Sequence, residues 1–137
     1  MADGVFLDTA GLLAALNQDD DLHKSATAVL RQIEESNRRV VTTTFVLAEV
    51  GNGLARTSLR PDTVWLIRKL HSDPRSTVVY ADQGELFEAL ELYAERSDKT
   101  WGLVDCVSFV VMQRMGIAEA FTADRHFEQA GFVALLR

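Results

Sequence analysis

Five short runs rich in β-branched or aromatic residues, separated by longer stretches of helical periodicity, set the strongest constraint on how this chain folds. The runs are Val5–Leu7, Arg39–Thr42, Thr77–Tyr80, Ala120–Thr122 and Phe132–Leu135. Helical patterns cover about Thr9–Asn17, Leu22–Ser36, Phe45–Thr57, Pro61–Ser72, Gln83–Arg96 and Gly102–Met115. Pro61 suits a first helical position, and Asp82 with Glu85 has the form of a capping box. Strands joined through helices pair in parallel, because a hairpin needs only a tight turn and a parallel crossover needs a dozen residues or more. The expected fold is therefore α/β, a three-layer sandwich with a short parallel central sheet flanked by helices. In such sheets ligands gather beyond the carboxyl ends of the strands. Asp8 ends the first strand and Asp124 follows the fourth, so both point at that edge.

The chain has 137 residues, which suits a single domain over 1–137 with no repeat and no linker-like segment. No apolar run reaches the ~18 residues of a membrane span. Asp3 and Asp8 stand where a signal peptide would carry basic residues, so a cytoplasmic location is expected. The single cysteine, Cys106, excludes an internal disulfide and a cysteine-based zinc site. A net charge of −6 argues against a simple basic nucleic-acid binder. It leaves room for an enzyme that clusters acids at a metal.

The acids carry the chemical signal. In "VFLDTAGLLAAL" an apolar strand runs straight into Asp8, where the carboxylate can cap the next helix or belong to a site. In "WGLVDCVSFVVMQRMG" only Asp105 and Ser108 are polar between Leu103 and Met112, so this helix should be buried nearly all round. A lone buried carboxylate there must be protonated, paired or bound to a cation. Glu49 lies on the flank of an apolar stripe in "TTTFVLAEVGNGLART", with Gly51 and Gly53 suggesting close approach of another group. Asp124 sits in "FTADRHFEQAGF", where it can cap a short helical turn. Asp98 is a loop acid. Carboxylates without His or Cys suit a hard cation, Mg²⁺ or Mn²⁺, and such ions serve phosphoryl chemistry. Metal-dependent cleavage of a phosphodiester is the reaction these residues indicate. Held close together without metal, the carboxylates should repel one another and destabilise the fold.

"FLDTAGLLAAL", "TTTFVLAEVGNGLAR", "SDKTWGLVDCVSFVVMQRMGI" and "AFTADRHFEQAGF", in that order, resemble the PIN-domain nucleases, particularly VapC-type toxins of bacterial toxin–antitoxin pairs. The resemblance spans essentially the whole chain, and the last block, T-x-D-x-H-F-x-x-x-G-F, is specific in combination with the others. It implies an acidic quartet that binds Mg²⁺ or Mn²⁺ and hydrolyses RNA to a 5′-phosphate and a 3′-hydroxyl. The matching positions are Asp8, Glu49, Asp105 and Asp124, with Asp98 an auxiliary acid. Asp8 and Asp105 would be the main ligands and Asp124 a third, directly or through water. Glu49 would hold a second ion or position the attacking water. Thr9 and Thr122 are candidate hydrogen-bonding supports, and Ser108 a weaker one. Val104 stands where the family commonly has Ser or Thr. The resemblance also implies a homodimer held inactive by a small antitoxin protein.

Arg56, Arg60, Arg68 and Lys69 form either a solvated helix face or an RNA-backbone rim. His23, His71 and His126 share no metal-ligand spacing, and His126 is expected to pack beside Phe127 for structural reasons. A phosphate-transfer receiver domain would need paired acids directly after the first strand, and a haloacid-dehalogenase-like phosphatase would need an acid where Ala10 stands. A nucleotide-binding GxxxxGKS loop does not occur. The competing reading from another class is a non-catalytic PIN-like module that binds RNA or protein.

Overall fold

The computed structural model describes residues 3–137. In chain order the elements are β1 (Val5–Leu7), α1 (Thr9–Leu16), α2 (His23–Glu35), β2 (Val40–Thr43), α3 (Thr44–Gly53) and α4 (Arg60–Ser72). They continue with β3 (Ser76–Val79), α5 (Gln83–Glu95), α6 (Leu103–Met115), β4 (Glu119–Phe121), α7 (Arg125–Gln129) and β5 (Val133–Ala134). The strands form one parallel sheet in the order β3-β2-β1-β4-β5. Phe6 of β1 pairs with Val41 on one side and with Ala120 on the other.

This order places the reversal of winding between β1 and β4. From β1 the chain moves outward through β2 to β3, then crosses back to β4 and continues outward to β5. Right-handed crossovers put α1 to α4 on one face and α5 to α7 on the other; most helix contacts follow that division, α1 with α2 and α3 against α5 and α7 with α6, while α3 also meets α6. The sandwich expected from the alternation of elements is the observed fold. The cleft between the carboxyl ends of β1 and β4 is the switch point at which such sheets hold ligands.

Local chemistry fixes several boundaries. Asp82 and Glu85 form the expected capping box, with Glu85 N–H donating to Asp82 at 2.8 Å and Asp82 N–H to Glu85 at 3.1 Å. Helix α3 ends at Gly53, short of Thr57, because the Thr57 hydroxyl donates to Leu54 O and accepts from Leu59 N–H, closing a turn before α4. Buried residues run without a break from Cys106 to Met112 in α6, as its composition requires. That helix stops at Gly116, whose φ of +67° suits a residue without a Cβ.

The core on the α5–α7 side is aromatic. The Phe109 ring meets Phe127 edge-on at 4.9 Å and Trp101 at 5.1 Å, and Phe6 reaches Phe127 from the sheet at 6.4 Å. On the opposite face α1 lies so close to β4 that a Cβ at Gly11 would come within 2.1 Å of Phe121 O. The same seam carries a hydrogen bond from Asp8 N–H to Phe121 O at 3.3 Å. Close approach at Gly11, not at Gly51, is what draws the start of α1 to the end of β4. Gly51 has nothing within 4 Å of where its Cβ would lie and Gly53 meets only Leu13 at ordinary contact, so the expectation attached to those glycines fails. They sit on the outer flank of a helix whose packed stripe is Val46, Leu47 and Val50.

Candidate active site

Asp8 occupies the position before α1, but its side chain makes no capping bond. Its Oδ2 accepts instead from the Thr122 hydroxyl at 2.8 Å, across the seam between β1 and β4. The residue is 4% exposed. Burial is the largest influence on its carboxyl and holds the pKa up at about 6; the Thr122 bond and the Thr9 backbone pull it down, and the nearby charges of Asp105 and Asp124 push it up. Burial therefore outweighs the mutual repulsion expected of the cluster. Thr122 itself is fixed by a bond from Asp124 N–H to its hydroxyl oxygen at 3.0 Å.

Asp105 stands in the first turn of α6, where its Oδ2 accepts from Gly102 N–H at 3.0 Å. Burial raises its pKa from the ordinary aspartate value, partly opposed by that backbone bond. Asp124 serves as the helix cap and also stands in the cleft. It caps α7 by accepting from His126 N–H at 2.9 Å, and it lies beside Asp105 in the cleft. Glu49 reaches the cleft from the exposed flank of α3, and its Oε1 accepts from the Thr9 hydroxyl at 2.6 Å. Thr9 and Thr122 thus donate hydrogen bonds to Glu49 and Asp8.

The four carboxylates line one open cleft of about 370 Å³ with Thr9, Thr100, Gly102 and His126. No Lys or Arg belongs to that lining. A second cavity of about 390 Å³ lies between α2 and α4, among Leu30, Ile33, Trp65, Leu66 and Leu70, and holds no such cluster.

His126 departs from the sequence expectation. Successive helix residues point about 100° apart, so while Phe127 enters the core, the His126 ring turns to the acids. Its Nδ1 lies 3.1 Å from Asp105 Oδ2 and 3.3 Å from Asp124 Oδ1, and its Nε2 lies 3.1 Å from the Thr100 hydroxyl. Spacing among the three histidines could not reveal this, because the partners are carboxylates; its place two residues after a candidate ligand was the available signal. Asp98 and Ser108 are not brought to the cluster. Asp98 forms a two-pronged exposed pair with Arg96 at 2.9 and 3.0 Å, and the buried Ser108 hydroxyl donates back to Val104 O at 3.0 Å. Arg56, Arg60, Arg68 and Lys69 are exposed and none lines the cleft. Among the described residues no helix is long and apolar enough to cross a membrane.

The PIN domain family model matches residues 5–133. The 23S rRNA-specific endonuclease VapC20 of Mycobacterium tuberculosis, found in two strains, is 31% identical over 131 residues, covering 94% of this chain and 95% of the relative. The crystal structure of M. tuberculosis VapC20, described as a sarcin–ricin loop cleaving toxin, superimposes with a TM-score of 0.81 at 26% identity, covering 94% of this chain and 96% of that one. A DNA-bound VapBC complex from Salmonella typhimurium shares the fold, with a TM-score of 0.69 at 14% identity over 98% of this chain and 97% of its own. With the family pattern running almost from end to end and a relative aligned along nearly its whole length, the chain belongs to the PIN-domain family, in its VapC-type branch.

Proposed function

We propose that this protein is a VapC-type endoribonuclease toxin whose clustered acids hold Mg²⁺ or Mn²⁺ and hydrolyse RNA phosphodiester bonds. The observation that carries the reading is the meeting of Asp8, Glu49, Asp105 and Asp124 in one cleft at the switch point of the sheet. The donor set fits a divalent cation. Asp8 is buried with a raised pKa and no cationic side chain beside it, so an ionised Asp8 calls for a counter-charge from outside the chain. One oxygen of each carboxylate is held by a donor of the protein: Thr122 on Asp8, Thr9 on Glu49, Gly102 on Asp105 and the His126 amide on Asp124. Oxygens oriented in this way are the usual arrangement around a ligated metal.

Asp8 and Asp105 are the main ligands in this reading, with Asp124 a third, directly or through water. Glu49 holds a second ion or accepts a proton from the attacking water, oriented for either by Thr9. The chemistry supplied by such ions when bound is activation of water and neutralisation of charge on the phosphate and the leaving oxygen. In-line attack leaves a 5′-phosphate and a 3′-hydroxyl. The substrate to test first is the sarcin–ricin loop of 23S rRNA, which the mycobacterial relative is named for cleaving. By the same kinship the toxin works as a homodimer in the cytoplasm and is restrained by an antitoxin protein.

The test is cleavage of an RNA panel containing that loop, in Mn²⁺, in Mg²⁺ and in EDTA. Metal-dependent products ending in 5′-phosphate, lost in Asp105→Asn with the far-UV circular dichroism unchanged, are expected. Equal cleavage in EDTA, or a near wild-type rate for the folded variant, would overturn the assignment.

A further inference from the structure

His126 is the one nitrogen donor in a cleft otherwise lined by carboxylates, hydroxyls and apolar groups. Three observations fix where its ring points. The Thr100 hydroxyl sits 3.1 Å from Nε2 and anchors the outer edge of the ring. The inner nitrogen, Nδ1, then faces Asp105 Oδ2 at 3.1 Å and Asp124 Oδ1 at 3.3 Å. Donor atoms of Asp105, Asp124 and His126 all lie within 4.8 Å of one another.

These distances suit more than a hydrogen bond. Two donors each ~2.1 Å from one octahedral ion, at right angles, lie about 3 Å apart. Nδ1 already stands at about that spacing from each of the two carboxylate oxygens, so a cation that replaces the shared proton can reach all three atoms after a small turn of the ring. Backbone amides brace both carboxylates, Gly102 N–H on Asp105 and His126 N–H on Asp124, so the pocket is stiff on two sides. The second of these bonds uses the amide of His126 itself, which ties the placement of the ring to that of Asp124.

We infer that His126 Nδ1 is a direct metal ligand, completing a mixed nitrogen–oxygen site with Asp105 and Asp124 that prefers Mn²⁺ to Mg²⁺. Imidazole suits transition metals, whereas Mg²⁺ keeps to oxygen and water. Thr100 is the residue that orients this ligand, in the way hydrogen-bonding partners commonly orient metal-bound histidines. The inference rests on the proposed metal site and adds a ligand to it.

The experiment is pulsed electron paramagnetic resonance on the full chain loaded with Mn²⁺ and without RNA, read for nitrogen modulation from a directly bound imidazole. Wild type, His23→Ala and His71→Ala are expected to show the same nitrogen coupling, and His126→Asn none. If His126→Asn binds Mn²⁺ too weakly to give a spectrum, the coupling in wild type and in both other variants still assigns the nitrogen by elimination. Isothermal titration should show the Mn²⁺ over Mg²⁺ preference of the wild type falling about tenfold or more in His126→Asn. Tight Mn²⁺ binding with no nitrogen coupling, or a coupling that survives in His126→Asn, would overturn the inference and leave the carboxylate site standing. No Mn²⁺ bound to the wild type at millimolar concentration would overturn the metal site and this ligand with it.

Discussion

Replacing Asp8 by asparagine tests whether this carboxylate is held for a metal or for the fold. Its pKa rises from 3.8 to about 6 in the folded chain, with burial the largest cause. A raised carboxyl pKa means that the native state binds more protons than the unfolded state between the two values. Stability is therefore lost as pH rises from about 4 to about 6, and stays lower above that range. Each tenfold difference is ~1.4 kcal/mol, so the ionised Asp8 costs the metal-free fold about 3 kcal/mol at pH 8. Asparagine has the same shape, keeps an oxygen for the Thr122 hydroxyl and removes the charge. Its new amide lacks an assured partner, which returns about 1 kcal/mol. The net gain is about 2 kcal/mol, or roughly 7 °C in Tm for a domain of this size.

The assay is a thermal scan in EDTA at pH 8 and at pH 5, then at pH 8 with saturating Mn²⁺. In EDTA, Asp8→Asn should melt above the wild type at pH 8. The gap should shrink to roughly a third at pH 5, where most wild-type chains carry a protonated Asp8 and the cost of its charge is about halved against the same amide penalty. With Mn²⁺ the order should reverse. A ligand at a hundred times its Kd stabilises the native state by about 2.7 kcal/mol, and only the wild type should receive it in full. An equal or lower Tm for the variant in EDTA at pH 8, with the same pH slope in both proteins, would refute the reasoning from burial. A full Mn²⁺ shift in the variant would refute the role as ligand.

Thr122→Val removes the hydroxyl that holds Asp8, and should lower Mn²⁺ affinity by about 10- to 100-fold in a titration while the fold persists. Gly11→Ala would put a Cβ 2.1 Å from Phe121 O; the seam between α1 and β4 must open, and chemical denaturation should show a loss of about 1–3 kcal/mol or more. Asp98→Asn should cleave RNA at near the wild-type rate, since that side chain faces solvent and Arg96 rather than the cleft. A large loss in that variant would restore Asp98 as an auxiliary acid.

The fold was legible because periodicity and hydrophobic pattern agree along most of this chain. Each expected strand forms within a few residues of its place, and α6 is buried from Cys106 to Met112 as its largely apolar composition demands. What remained hidden depends on distance in sequence. The contact that makes Gly11 necessary is with Phe121, more than a hundred residues away, so a glycine in "TAGLL" looks like any other helix glycine. Gly51 and Gly53 suggested close approach instead because glycine inside a helix is costly, yet at the first of them nothing approaches. Local spacing reports the backbone's cost and not the neighbour that requires it.

The site divides along the same line. Asp8 and Asp124 could be placed at the ligand edge from strand ends alone, and their contact through Thr122 follows from β1 and β4 being neighbours in the sheet. His126 could not be placed that way, because its direction depends on the turn between Asp124 and α7 and on Thr100 from a distant loop. The apolar strand that ends in Asp8 has an answer in the same geometry. That carboxylate caps no helix with its side chain, and its hydroxyl partner is Thr122, just past β4; burial raises its free energy by more than the Thr122 bond and the Thr9 backbone return. A residue selected for folding alone would be a serine, threonine or asparagine at that position, each of which caps without the cost of a buried charge. A carboxylate at this position is accounted for by the proposed cation, because the same burial that penalises the bare charge would strengthen its attraction to a bound ion.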